Sequence, residues 1–392
     1  MITVEQAFEL VQNNIHPTDK SSNKPVIELT GYVLFEDVYS PINMPPFRQS
    51  AMDGYALCLN SDITYSVIDE VKAGNSHHPK LNAGEAVRIF TGAPVPETAN
   101  AVIMQEKVTT DGKKITLNKT VLFNENIRPL GEQVKKGGIA LKKGTKITPA
   151  AIGYLTSLGI TDVKVYKKPS IAIVVTGDEL SDAGKPLTFG NIYESNSGML
   201  LSALISLGFT NVTTHKVEDN YTNTLTKLDK VINQNDMVLI TGGISVGDYD
   251  FVGKALKELE VREIFYKVRQ KPGKPLFFGK KKNTIVFALP GNPAAALSCL
   301  YIYVNIALQK MSGDTNCSLT KVTAKSTSKY IKKGDRAQFL KAIYKNHEVT
   351  ILEGQSSAML QTFALANALV YVSENQNNIN INDEVEVICL SV

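Results

Sequence analysis

The stretch SIAIVVTGDEL, residues 170–180, carries the β-branched run IAIVV at 171–175 and then breaks at a Thr-Gly-Asp-Glu turn. A short apolar run bounded by turn residues reads as a buried strand. Similar runs follow at 212–217, at MVLI (237–240), near 265–268 and at TIVFAL (284–289), with helical segments between them. Strands alternating with helices predict a mostly parallel sheet covered by helices. Ser195 or Asn196 stands where a cap would open a helix running to Leu207, Gly208 ends it, and Asn292 followed by Pro293 opens the last helix of this domain, which closes near Gly313.

Beyond Gly313 the pattern changes to alternating segments such as QFLKAIYK (338–345) and EVEVICL (384–390), separated by Gly, Asn and Asp clusters. These predict a small C-terminal β domain. Before Ser170 the chain offers one amphipathic helix in MITVEQAFELVQNN, a Pro-rich segment PINMPPF (41–47), and many short strands up to about Lys136. A helix is expected after Thr148 or Pro149, ending at Gly159, and placed to pair with the N-terminal helix. KKK at 280–282 and QNNININ at 376–382 read as solvated turns.

With 392 residues, 43% hydrophobic and 20% charged, the chain has ordinary globular usage and a length of two or more domains. Forty-two Lys and Arg against 38 Asp and Glu leave +4, too little for nucleic-acid binding through a general basic field. Cys58, Cys299, Cys317 and Cys389 show no C-x-x-C spacing, so neither a zinc site nor a disulfide framework is written. No basic start and apolar centre of a signal peptide is present, and a cytoplasmic location is expected. The most apolar stretch, 294–308, falls short of a membrane span of about 20 residues and reads as a buried helix; no membrane is expected.

Three strand ends lead into unusual loops: VVTGDEL (174–180), LITGGISVGDYD (239–250) and ALPGNPAAA (288–296). Ligands of such sheets bind at the carboxyl ends of the strands. Gly242, Gly243, Ser245 and Gly247 let backbone N–H groups approach a phosphate, or simply supply a turn with positive φ. Asp248 stands where a P-loop needs its Lys, which disfavours a P-loop NTPase. Asp178, Glu179, Asp219, Asp248 and Asp250 gather at strand ends, where Mg²⁺ would relieve their repulsion; alternatively each caps a helix or stays solvated. Lys271 and Lys274 in KPGKP suit point-charge contacts to a phosphate or an oxyanion, or are simply exposed beside a turn. His16, His77, His78, His215 and His347 form no metal or triad pattern.

Taken together, SAMDGYA (50–56), TGAPVPE (91–97), TGDEL (176–180), YESN (193–196), TGGISVGDYD (241–250), KPGKP (271–275) and LPGNP (289–293) closely resemble the MoeA family of molybdopterin molybdenumtransferases. The resemblance implies Mg-dependent insertion of molybdate into adenylylated molybdopterin with release of AMP. It implies a multidomain α/β plus β fold: a discontinuous N-terminal domain (1–41 and 135–168), an inserted β-rich domain (42–134), a central MogA-like α/β domain with a mostly parallel sheet (169–313) and a C-terminal β barrel (314–392). A homodimer follows from the same resemblance, with its site between the α/β domain of one subunit and the inserted domain of the other. An adenylyltransferase partner would deliver the substrate.

Residue by residue, Asp178, Glu179, Asp219 and Asp250 resemble the family's acidic set for Mg²⁺ and substrate, and Lys271 and Lys274 its anion-binding pair. Asp53 matches the DGYA acid, Thr91 and Arg128 polar cleft residues, and Pro290, Gly291, Asn292 and Pro293 the PGNP turn. Arg336 in GDRAQF and Ser357 in GQSSAM resemble positions reaching the same cleft. Gln133 stands where the family often has Asp and cannot serve as a carboxylate; Glu194 replaces a common Asp with its charge kept. The rival functions are a molybdopterin adenylyltransferase, disfavoured by the extra domains, and a non-catalytic scaffold, which leaves the acidic cluster unexplained.

Overall fold

Four parallel strands, Val212–Val217, Ile171–Thr176, Met237–Thr241 and Thr284–Leu289 in that spatial order, carry on their far edge the antiparallel Phe277–Lys281 and Arg262–Tyr266. The structure, a computed structural model, describes residues 1–244 and 251–390. They divide into two units, the first comprising residues 1–22, 31–33 and 165 onward, the second 23–30 and 34–164.

In the first unit each central strand is apolar on both faces, because helices cover both sides. Ile171, Ile173, Val175, Leu239 and Phe287 point to one core, whereas Ala172, Val174, Ile240 and Val286 point to the other. Helix Tyr221–Gln234 and helix Phe251–Glu258 close the second face with Leu228, Val231, Val252 and Leu256. The first is covered by helix Asn196–Ser206 and by a continuous helical stretch, Pro293–Met311, which contains a π-helical segment at Leu300–Val304. This 19-residue stretch is longer than expected and apolar enough to match a membrane span by composition, yet 78% of its most apolar window is buried within the protein. The run expected near 265–268 is the strand Arg262–Tyr266, and Phe277–Lys281 is a strand that pairs antiparallel to it. KKK straddles the hairpin turn, with Lys282 at φ 53°.

The N-terminal helix, Val4–Asn14, opens on a reciprocal capping box between Thr3 and Gln6. Val4, Ala7 and Val11 join the α/β core, and Phe8 lies 5.0 Å from the Tyr303 ring. Its apolar stripe thus covers the buried 293–311 helix.

Five strands, Ala337–Lys345, Glu348–Ile351, Lys321–Ser326, Glu384–Cys389 and Ala368–Val372, pair in that order and close as the last returns to the first. Closure removes free edges. Leu340, Ala342, Val349, Val370 and Val387 fill the barrel, while Phe339, Leu369 and Ile388 alternate outward onto the α/β core. Gln270–Lys271 adds in parallel to Ala337–Gln338, so the barrel and the KPGKP loop share a backbone ladder. Ile379, expected in a solvated turn, is buried.

The second unit is built on a six-stranded sheet in the order Ala101–Met104, Gly54–Leu57, Glu85–Ile89, Thr64–Val71, Lys114–Leu117 and Val108–Thr110. Gly54 is required there, since a Cβ would stand 1.8 Å from the Ile103 carbonyl oxygen. Just before it, Asp53 Oδ1 accepts hydrogen bonds from the Thr91 N–H and hydroxyl, both at 2.7 Å. The backbone bond first, then the hydroxyl, holds the Asp53 carboxyl below its ordinary pKa.

Replacing Phe287, which is fully buried and stacked on Phe278 at 4.7 Å, by Ala is expected to cost about 4 kcal/mol in a denaturant titration of the first unit's unfolding. Thr91→Val removes one of the two donors, so the Asp53 carboxyl should titrate at higher pH by NMR than in the unaltered chain. A depressed carboxyl supports folding above the unfolded value of about 3.9 and loses that support as pH falls through its folded pKa. The variant should therefore lose less stability on acidification.

Candidate active site

The matched carboxyl ends of strands Ile171–Thr176, Met237–Thr241 and Thr284–Leu289 open into a cavity of ≈ 620 Å³. Gly242, one residue past its strand, has φ +90°, and a Cβ there would stand 2.1 Å from the Thr176 carbonyl oxygen. Gly243 also has positive φ and would press a Cβ to 2.8 Å from Val252. Both glycines are therefore fixed by close packing as well as by φ. Pro290, Gly291, Asn292 and Pro293 form the neighbouring wall. Asn292 occupies the cap position of its helix, yet its side chain makes no cap bond and donates to the Ser357 hydroxyl at 3.0 Å.

Lys271 and Lys274, both exposed, line the same cavity with the half-buried Arg336. Their loop is anchored from beneath. Gln270 is fully buried; its Oε1 accepts from the Tyr303 hydroxyl at 2.5 Å and its amide donates to the Gly273 carbonyl at 3.2 Å. Arg336 donates to the Gln270 carbonyl at 3.2 Å. Burial pushes the neighbouring Cys299 thiol up to about 12, so it stays protonated and inert.

The sequence-derived residues Glu179, Gly242, Gly243, Lys271, Lys274, Pro290, Gly291, Asn292, Pro293, Arg336 and Ser357 all line this one cavity. Asp178 and Asp219 line an adjacent recess with Lys216 and Asn220. There the Asp219 N–H donates to Asp178 Oδ1 at 2.9 Å, and the Thr176 hydroxyl donates to Asp219 Oδ1. Asp53 and Thr91 bond each other in the second unit, where Arg128 is exposed on a short strand paired with Gln49–Ser50. Ser245, Gly247, Asp248 and Asp250 lie outside the described residues.

Among the described residues no three His, Cys, Asp or Glu side chains converge to hold a metal ion. Asp178 and Asp219 each commit one oxygen to the hydrogen bonds above. Two carboxylates suit a Mg²⁺ that keeps its waters and completes its shell with substrate phosphates, rather than a protein cage.

Two wall residues escaped the sequence reading. Asn196, read there as a possible cap, is nine-tenths buried and donates to Thr241 Oγ1 and the Gly291 carbonyl, both at 2.8 Å, tying helix Asn196–Ser206 to two of the turns. Glu194, set aside as a departure, accepts from the Ser197 N–H at 2.9 Å and from its hydroxyl, at the start of that helix and on the cavity wall. The YESN motif was the available signal for both.

Family profiles match in order along the chain: the MoeA N-terminal region (domain I and II) over residues 2–159, a probable molybdopterin binding domain over 172–310, and the MoeA C-terminal region (domain IV) over 323–390. A curated relative from Haemophilus influenzae, named molybdopterin molybdenumtransferase, is 34% identical over 99% of this chain and 98% of its own. One of the same name from Staphylococcus epidermidis is 32% identical over 81% of this chain and 77% of its own. The crystal structure of the molybdopterin biosynthesis moeA protein from Pyrococcus horikoshii OT3 superposes with a TM-score of 0.85 at 30% identity, covering 99% of this chain and all of that one. With identity, order of regions and fold in agreement over nearly the whole length, the chain belongs to the MoeA family.

Proposed function

We propose that the chain inserts molybdate into adenylylated molybdopterin and releases AMP, forming the molybdenum-bearing cofactor. The observation that carries this reading is a single cavity lined by Lys271, Lys274 and Arg336 together with the Gly242–Gly243 and Pro290–Pro293 turns. Cations that close together favour an oxyanion, and the glycine turn admits the phosphates of a bound nucleotide against the backbone. The names of the relatives supply the chemistry to which such a cavity is suited.

The protein's part is positioning and charge neutralisation; no side-chain nucleophile is required. Lys271 and Lys274 offset the charge of molybdate beside the phosphoanhydride; the substrate's dithiolene sulfurs displace one molybdate oxygen, which leaves with their two protons as water, and a water molecule cleaves the phosphoanhydride to release AMP. Arg336, half-buried and braced on the Gln270 carbonyl, adds a fixed fork of donors. When bound, Mg²⁺ would neutralise the phosphoanhydride. Asp178 and Asp219 would hold it, with Glu179 and Asp250 assigned to the same set by resemblance. Asp53, Thr91 and Arg128 are assigned to substrate on the same ground. The reading extends to a cytoplasmic homodimer with four domains, 1–41 with 135–168, 42–134, 169–313 and 314–392, fed by an adenylyltransferase.

Purified protein given adenylylated molybdopterin, Mg²⁺ and molybdate should release AMP only when molybdate is present, and Lys274→Ala should slow release by about a hundredfold, the size of loss seen when one anion-stabilising group is removed. Release without molybdate, or ATP-dependent adenylylation of metal-free molybdopterin, would replace the reading with the adenylyltransferase one. Chelation by EDTA should stop release and added Mg²⁺ should restore it; full activity in EDTA would remove Mg²⁺ from the mechanism.

A further inference from the structure

Lys341 lies in the barrel strand Ala337–Lys345 and is only 3% exposed, with no carboxylate against it in the hydrogen bonds it makes. Its ammonium donates to three backbone carbonyls, Gly354 at 2.8 Å, Ser356 at 3.1 Å and Met359 at 3.0 Å. All three of its donors are thereby used, which is how a buried ammonium is tolerated. Gln355 clamps the same point from the backbone side: its Oε1 accepts from the Lys341 N–H and its amide donates to the Lys341 carbonyl, both at 2.9 Å. Gly354 has φ +77°, and a Cβ there would meet Thr362 Oγ1 at 2.6 Å, so the turn is packed as well as bonded.

The turn so gathered, 354–359, carries Ser357 on the wall of the cavity, where its hydroxyl accepts from Asn292. In a trans peptide the N–H points opposite to the C=O. With the Ser356 carbonyl held on Lys341, the Ser357 N–H of that same peptide faces away from the ammonium. We propose that Lys341 is a positioning residue: by collecting the carbonyls of 354–359 on its buried side it presents the Ser357 N–H and hydroxyl to the oxyanion held by Lys271, Lys274 and Arg336. The assignment rests on the oxyanion reading of the cavity given above. It gives a role to a buried cation that the transfer chemistry itself does not use.

The test is calorimetric titration of the full chain with molybdate and, separately, with AMP. Lys341→Met should weaken molybdate binding by about tenfold or more while AMP binding is unchanged, and Lys341→Arg, which keeps a cation for the carbonyls, should restore most of it. Should Lys341→Met fail to fold, Ser357→Ala and Ser357→Pro decide: Pro also removes the N–H and must bind molybdate more weakly than Ala. A folded Lys341→Met with unaltered molybdate affinity, equal losses for molybdate and AMP, or a Pro variant that binds like the Ala variant overturns the assignment alone. If the unaltered chain binds neither molybdate nor AMP, the reading of the cavity falls and this assignment with it.

Discussion

Parallel pairing in matched register, with Val175 beside Thr241 and Thr241 beside Leu289, is the constraint on which the site depends. It ends three neighbouring strands within one residue of the same level, so that Gly177, Gly242 and Pro290 leave the sheet close together. Gly242 then packs against the Thr176 carbonyl with no space for a side chain, and Asn196 spans from Thr241 to Gly291. A slip of one residue in any of these strands would turn its inward residues to the opposite face and undo both cores at once. The apolar content of the sheet and the geometry of the cavity are therefore one requirement.

The cationic wall is fixed by different means. Lysine side chains are long and mobile, and their placement costs entropy. Here the loop that bears Lys271 and Lys274 is held from below by the buried Gln270 amide on Tyr303 and Gly273, and from the side by the ladder with Ala337–Gln338. The same barrel strand continues to Lys341, which collects the turn bearing Ser357. One strand thus supports two parts of the cavity wall, and its residues from 337 to 342 are all buried because the barrel interior and the α/β core cover its two faces.

Much of this was legible in the sequence. Strands Val212–Val217 and Thr284–Leu289 fall where their β-branched runs place them, and the glycine and proline turns marked the strand ends that line the cavity. Phe277–Lys281 was missed because FFGKK, followed by Lys282 and Asn283, carries a glycine and charges that read as a turn. Lys341 was missed for a related reason: in QFLKAIYK a lysine among apolar residues reads as the solvent face of an alternating strand, whereas both faces of this strand are covered. Asn196 read as a cap because Asn is a preferred capping residue, and only the fold brings Thr241 and Gly291 within reach of its amide. Such partners are separated by tens of residues, so no local pattern encodes them.

The central claim is that an oxyanion sits between the glycine turn and the cations of the KPGKP loop and Arg336. Tungstate, a heavier analogue of molybdate, soaked into crystals of the protein and located by its anomalous scattering, tests this most directly. The account predicts a peak within hydrogen-bonding distance of Lys271, Lys274 or Arg336 in the ≈ 620 Å³ cavity. A peak confined to another part of the molecule, or none at concentrations that support turnover, would contradict it.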